Sequence, residues 1–365
     1  MKNLSFLLVL CSLFCLSVHA QKESWLKRTL HGIKNHMDSS VVKGVDPNYI
    51  IAPERPWQVI TRYNIDQMRL KVGSLINESI DDTELTMNLD SWLRTGTAHR
   101  IGLWVGYRGY GIGYSVNTGK QDGLYFTAGL TGGAYGLNIR LRTFSTKDLE
   151  FSLSGMDADG HQFDERAEGQ LYQPIRVRSL IVDGYYLFNG KHFSYTAAYD
   201  QSNIQLRSAG SLMAGAMWHN TTIKYDDNEN AAFVSLMHDV GSIKIRQGSI
   251  GVGYAYNWVP TKGLLVNAMF MPMLTLYNKQ KLTLYDVHLE NSLEVINDRI
   301  TFREYQYYTS SIALTYNARM SLTYNWKRIF FNVYGQWNHY RFNNGYSDYG
   351  HINDWLVNTS LGVRL

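Results

Sequence analysis

The chain has 365 residues, 45% hydrophobic and 13% aromatic, with 26 Tyr, 31 Gly, 6 Pro and a net charge of +4. That charge is too small on so long a chain to argue for nucleic acid, and a mean hydropathy of −0.26 excludes a helical membrane protein. So much Tyr, Trp and Phe seldom stays uncovered in a soluble domain, and helical periodicity nearly vanishes after residue 40.

Residues 1–20 read as an export signal. Lys2 supplies the charged start, Leu4 to Leu16 is a short apolar run, and Val18-His19-Ala20 predicts cleavage after Ala20. The run is too short to span a bilayer. Both cysteines, Cys11 and Cys15, fall inside it, and Ser12-Leu13-Phe14 lacks the small residues expected before a lipid-modified Cys. The mature chain then carries no thiol, which excludes a disulfide scaffold and Cys-ligated metal. An exported, Cys-free chain suits the periplasm or outer membrane of a Gram-negative bacterium.

Residues 21–56 form a separate periplasmic segment, expected as a helix, a plug or a tether. Trp25, Leu26, Leu30, Ile33 and Met37 have rough helical spacing. Pro47, Pro53 and Pro56 divide the segment from the rest of the chain.

Residues 57–365 change period to two. The clearest stretch is Ser311 to Trp326, where Ile312, Leu314, Tyr316, Ala318, Met320, Leu322, Tyr324 and Trp326 form one face. Ser311, Thr315, Asn317, Arg319, Ser321, Thr323 and Asn325 lie on the other, joined by Ala313. Alternation this long, ending in aromatics, predicts a tilted transmembrane strand. Shorter versions appear at Ile250 to Trp258, Tyr135 to Arg142 and Phe193 to Asp200. In Ile101 to Val116 the apolar face changes parity near Arg108-Gly109, read as a bulge.

The predicted strands are 57–72, 83–93, 99–116, 123–131, 134–145, 176–188, 192–205, 246–258, 264–276, 306–326, 328–341 and 355–365. A further pair near 210–219 and 231–240 would raise the number. The expected fold is an all-β transmembrane antiparallel barrel of about 12 strands, range 10–14, with short periplasmic turns and long extracellular loops. Asn189-Gly190-Lys191, Pro260 to Gly263 and Lys327-Arg328 are read as the tight turns. The long loops are expected near 145–176, 206–245, 277–306 and 342–354. Trp355 to Leu365 alternates to its end, so it is expected to close the barrel against Trp57 to Val72.

Several features of Tyr186 to Gly215 and beyond carry a family resemblance. They are the hairpin-like FN-x-x-x-FS at Phe188, Asn189, Phe193 and Ser194, then Gln205 with Ser208-Ala209-Gly210-Ser211. Gly251 to Trp258 and Tyr107-Arg108-Gly109 fit as well. In these features the chain resembles the domain of unknown function 4421 (DUF4421) family, uncharacterised outer-membrane barrels of Bacteroidetes-type bacteria. The resemblance covers most of the chain after about residue 40. It implies a fold and a location and no activity.

Catalytic candidates are weak. Ser208, Ser211 and His219 could be parts of an esterase, but eight residues of extended chain separate Ser211 from His219, roughly 25 Å. No G-x-S-x-G elbow is present. His161, His192 and His238 with Asp239 are the further candidates, and His192, after Gly190-Lys191 in a turn, reads as solvated. Asp157, Asp159, Asp164 and Glu165 lack the spacing of a calcium loop. No cofactor, metal or catalytic residue is therefore assigned.

The inward face says more. Parity points Arg62, Arg100, Arg140, Arg142, Arg319 and Arg364 to the lumen, against Asp66, Asp183 and Asp200. A water-filled lumen so lined would favour anionic solutes; a narrow one would be filled by these side chains pairing with one another. The expected role is a structural or passive-transport barrel. Alternatives are a lipid-modifying enzyme or a surface-binding barrel that uses its external loops. Expected partners are outer-membrane lipid, the barrel-insertion machinery, and an anionic solute or envelope protein.

Overall fold

The computed structural model describes residues 25–80, 83–94, 97–118, 123–156, 161–237, 239–290, 298–309, 312–343 and 348–365. The export signal with its cleavage point, Asp157, Asp159, His238 and Ser311 lie outside the described residues. The chain divides into two units, residues 1–39 and 40–365. In the first, helix α1 starts at Trp25 and runs on to Ser40. Among the described residues no helix is long and apolar enough to cross a membrane.

The second unit is a closed antiparallel barrel. Its wall strands are β2 (Trp57–Ile80), β4 (Ala98–Tyr107), β5 (Tyr110–Asn117), β6 (Gly123–Thr131), β7 (Tyr135–Met156) and β8 (Gln162–Leu187). They continue as β10 (Ala209–Lys224), β11 (Val240–Thr261), β12 (Leu264–His288), β14 (Ala313–Trp326), β15 (Ile329–Asn343) and β16 (Asp348–Arg364). Each pairs with the next, and β16 pairs with β2 from Arg364↔Gln58 to Asp348↔Ser74. The ring therefore has twelve strands and no free edge.

The expected number is right, but its members differ. The stretch 99–116 is two wall strands, since Tyr107↔Tyr110 closes a hairpin at Arg108-Gly109. Arg108 takes φ 55 there, so the parity change marks a turn and not a bulge. Strand β3 (Thr83–Arg94) is no wall strand; it pairs with the far part of β2 and then with β7. Strand β13 (Arg299–Thr309) similarly pairs with the far part of β12. Residues 192–205 are not a strand either, and 209–224 supplies wall strand β10 instead. Of the further pair, 231–240 is mainly helix α3 (Ala231–Leu236).

Residue parity explains the wall. On β14, Leu314, Met320, Leu322, Tyr324 and Trp326 are exposed, while Thr315, Asn317, Arg319, Ser321 and Thr323 are buried. The apolar face therefore points out of the barrel and the polar face in, the reverse of a soluble sandwich. At the turn side the outer face carries Trp57, Tyr186, Trp258, Tyr324 and Trp326. At the loop side it carries Trp218, Tyr277 and Trp337. Two such girdles are what a transmembrane barrel needs at its two interfaces.

Several strands run far past the loop-side girdle. β8 has 26 residues and β12 has 25, where about 10 suffice to cross a bilayer. In this extension the polarity of the two faces inverts. Ile175 and Val177 of β8 turn inward and are buried, while Arg176 and Arg178 turn outward. Ile223, Ile243, Ile245, Tyr340 and Ile352 join them in an interior apolar core. The extension is thus packed like a soluble β structure on top of a membrane one.

Candidate functional site

The connection between β8 and β10 is the main departure from a simple barrel. Residues 188–208 do not make a tight turn at Asn189-Gly190-Lys191. They fold back into the turn-side mouth, through short helix α2 (Thr196–Tyr199) and short strand β9 (Ile204–Gln205). β9 pairs with β1 (Ile50–Ile51) of the preceding strap. Phe193, Tyr195, Ala197 and Ala198 are buried.

Polar side chains pin this insert. Gln205 accepts from the Ser194 N–H at 2.9 Å and from Asn257 Nδ2 at 2.9 Å. Its own amide donates to the His192 carbonyl at 2.6 Å and to the Arg207 carbonyl at 2.9 Å. Asn189 donates to the Gly210 carbonyl at 2.8 Å, and its N–H donates to Ser211 Oγ at 3.0 Å. Ser208 Oγ accepts from the Val259 N–H at 2.9 Å. The barrel wall answers with Asn332, which donates to the Ala198 carbonyl at 3.0 Å, and Asn257, which donates to the Ser194 carbonyl at 2.8 Å. Buried backbone groups with no strand partner need such acceptors and donors, each worth about 1–3 kcal/mol if lost.

Above the insert lies a layer of charge. Asp183 on β8 accepts from Arg140 at 2.6 Å and from Arg319 at 3.2 Å. Asn138 donates to it as well, at 3.0 Å. Arg140 also donates to Gln336 at 2.6 Å. Arg319 donates to the Tyr195 hydroxyl of the insert, so the insert and the charge layer are one network. Next to it, Asp66 pairs with Arg100 and, at 3.1 Å, with Arg142. Arg142 reaches Asp354 at 2.7 Å. Arg62 is buried with its guanidinium 4.2 Å from the Trp104 ring centre. Arg364 stacks over Phe330 at 4.5 Å.

The structure brings Arg140 and Arg319 together around Asp183 and Arg100 and Arg142 around Asp66, while Arg62 over Trp104 and Arg364 over Phe330 lie apart from both clusters. Asp354, Gln336 and Tyr195 complete the clusters and escape the sequence reading. Asp354 is legible in principle: the alternation of β16 puts Trp355 outside and its neighbour inside, but 342–354 reads as a loop. In this layer Arg62, Arg100, Arg140, Arg142, Arg319 and Arg364 outnumber Asp66, Asp183, Asp200 and Asp354. The excess is cationic.

Among the described residues the cavities in this layer are small. One cavity of about 70 Å³ is lined by Arg62, Arg140, Arg319, Asp200, Tyr125 and Tyr334. A second, of about 20 Å³, lies among Asp66, Arg142 and Asp354. A water needs roughly 10–15 Å³ of such volume, so these two cavities have room for a few waters. Asp200, on the insert itself, takes the N–H and the hydroxyl of Ser202 at 2.9 and 2.6 Å. Burial nonetheless pushes its carboxyl up to about 6, and these bonds oppose the rise only in part.

The esterase candidates are engaged elsewhere. Ser211 donates to the Leu212 carbonyl at 2.6 Å. His219 meets Thr221 at 2.6 Å and stacks on Tyr340 with ring centres 4.1 Å apart. His192 lies 3.5 Å from Asp46 at the turn-side strap. His161 is exposed at the start of β8. Asp239 pairs with Arg303 at 3.3 Å. Among the described residues no group of three His, Cys, Asp or Glu could hold a metal ion.

The family described as a domain of unknown function, DUF4421, matches residues 45–364. The chain belongs to the DUF4421 family. Of the residues that carry the resemblance, Phe188, Asn189, Phe193, Ser194, Gln205 and Ser208 to Ser211 lie within or beside the lumenal insert, and Gly251 to Trp258 lies on wall strand β11. In this DUF4421 protein the match over residues 45–364 therefore takes in the insert and the wall together.

No curated protein matches the sequence. Among solved structures, the chain is similar to the outer membrane protease OmpT of Escherichia coli at 10% identity and a TM-score of 0.35, covering 86% of this chain and 97% of that one. It is similar to the translocator domain of the autotransporter NalP of Neisseria meningitidis at 11% and 0.33, covering 93% and 96%. It is also similar to the COG4313 outer membrane channel of Pseudomonas putida F1 at 13% and 0.29, covering 87% and 99%. The barrel assignment rests on the strand pairing above.

Proposed function

We propose that this DUF4421 protein is an outer-membrane barrel whose resting lumen is closed, a structural barrel in place of an open pore. The observation that carries this is a succession of three layers across the lumen among the described residues. The insert 188–208 stops the turn side, the arginine–aspartate layer crosses the middle, and the apolar core seals the loop side. In this reading the turn side faces the periplasm, the membrane lipid surrounds the girdles, and the insertion machinery receives the closing strand β16.

Planar bilayer recording tests it. The whole protein is expected to show no steady conductance. Replacing residues 190–206 by a short Gly/Ser turn is expected to give discrete currents that favour anions, because inward arginines outnumber aspartates. Steady porin-like current from the intact protein overturns the proposal. A passive-transport role for anionic solutes survives only as a gated one, with the insert as the element that must move.

A further inference from the structure

The outer wall just beyond the loop-side girdle carries an unusual concentration of cations. They sit on β8, β11 and β12, with β10 between β8 and β11. Arg176 and Arg178 face outward on β8, Lys244 and Arg246 on β11, and Lys279 and Lys281 on β12. The register makes the crowding explicit. Lys244 is directly opposite Lys281, and Arg246 is directly opposite Lys279. Thr222 of β10 bridges the row, paired with Arg178 on one side and Lys244 on the other.

Like charges directly opposite one another destabilise a sheet. Here two such pairs occur side by side, about 5 Å apart across the strands. Among the described residues no carboxylate forms an ion pair with any of the six. An anion bordering the patch, Asp226, is taken by Lys224 at 3.5 Å. Their contacts are aromatic instead: Lys281 lies 3.4 Å from the Tyr305 ring centre and Lys279 lies 5.3 Å from that of Tyr277.

Position identifies what would balance this charge. One register step below the Arg246–Lys279 pair, Trp218 and Tyr277 pack together at 5.3 Å and begin the apolar zone. Cations directly above an aromatic girdle stand at headgroup depth. Phosphates with a net negative charge accept from arginine and lysine in water-poor surroundings more strongly than a zwitterionic headgroup, whose own cation competes for the phosphate.

We propose that this patch is a binding site for the phosphate groups of an anionic, phosphorylated lipid in the leaflet on the loop side. The site is the outer face of β8, β10, β11 and β12, and its ligand is a lipid headgroup whose phosphate gives it a net negative charge. The inference rests on the membrane reading above. It does not depend on whether the lumen is closed.

Native mass spectrometry of the full chain in neutral detergent tests it, with diphosphoryl lipid A and phosphatidylcholine as the added probes. The intact protein is expected to retain lipid A in preference to phosphatidylcholine. Each cation at an anionic surface contributes roughly a fivefold preference. The variant R178Q/K244Q/R246Q/K281Q is therefore expected to lose retention by more than about tenfold, even after screening. A control that removes turn-side cations, K262Q/K327Q/R328Q, is expected to retain lipid A as the intact protein does. Equal retention of the two lipids by the intact protein overturns the proposal, as does equal loss in both variants. Heat-modifiable migration in gels, read in the same samples, reports separately whether the barrel is folded, so failure of the site and failure of the barrel are told apart.

Discussion

At the scale of single residues, Asp183 holds two arginines in the lumen. It is the one carboxylate shared by Arg140 and Arg319. Replacing it by Asn keeps the shape and removes the anion, which leaves two buried guanidinium groups uncompensated. Breaking a buried pair in this way costs about 3–5 kcal/mol. Asp183→Asn is therefore expected to lower the urea midpoint of the folded barrel in micelles, and an unchanged midpoint would show the pair to be neutral. Asp200 behaves in the opposite sense. Its folded pKa of about 6 stands above the ordinary value of 3.8. The folded state thus holds this proton more tightly than the unfolded chain. The stability it contributes is full below the unfolded value and is lost as pH rises through the folded one. Above pH 6 the buried charge costs on the order of 3 kcal/mol. Asp200→Asn is expected to stabilise the protein at pH 8 and to do nothing near pH 3.5. Thr131 donates to Gly109 at 2.9 Å and keeps a lone pair for the new amide. A stability difference independent of pH in urea titrations would contradict this. Both aspartates are legible as inward by parity. Their different environments are not, because burial and partners come from strands far apart in sequence.

At the scale of elements, the instructive error is residues 192–205. Phe193, Tyr195, Ala197 and Tyr199 alternate with smaller polar residues, as a wall strand would. Alternation reports only that successive side chains meet different surroundings. In the insert every one of these side chains is enclosed by the barrel, so the pattern carries no information about a strand. What does mark the segment is its hydrogen-bonding chemistry, Asn189, Ser194, Gln205 and Ser208 in a short span. Such residues serve backbone that has left the ladder. Gln205 tests this directly. Gln205→Ala removes acceptors from Ser194 and Asn257 and donors to two carbonyls. The insert is expected to lose about 3 kcal/mol of local stability. Hydrogen exchange should then accelerate at residues 192–206 while β14 stays protected; uniform acceleration would mean that the insert and wall unfold together. The wall strands show the converse case. Gly253 reads as a small inward residue in a crowded lumen, and a Cβ there would lie 2.5 Å from the Phe270 carbonyl oxygen. The crowding is with the neighbouring strand as well as the lumen. Gly253→Val is expected to cost about 1–3 kcal/mol or more by forcing β11 from β12, read as a reduced folded fraction in heat-modifiability gels.

At the scale of the molecule, closure and filling are linked, and only half of this is visible in the sequence. That β16 would meet β2 follows from its alternation and from the rule that a membrane sheet leaves no edge. That the same strand would also hold the insert does not follow, since nothing in local sequence says where residue 201 will lie. Arg364 makes the connection. Its guanidinium donates to the Gln201 carbonyl at 3.0 Å and to Asn325 of β14 at 2.7 Å. One side chain thus ties the seam strand, a wall strand and the insert together. Charge-assisted bonds of this kind are worth about 1.5–3 kcal/mol each. Arg364→Ala should lower the unfolding midpoint and also loosen the turn-side stopper, giving intermittent current in a bilayer where the intact protein is expected to give none. Arg328→Ala, on the exposed neighbouring turn, should do neither. If Arg364→Ala lowers stability without any current, the seam and the stopper are separate devices. If it gives current without loss of stability, the guanidinium serves the insert alone. Only the joint effect fits a barrel whose closing strand also keeps its lumen shut.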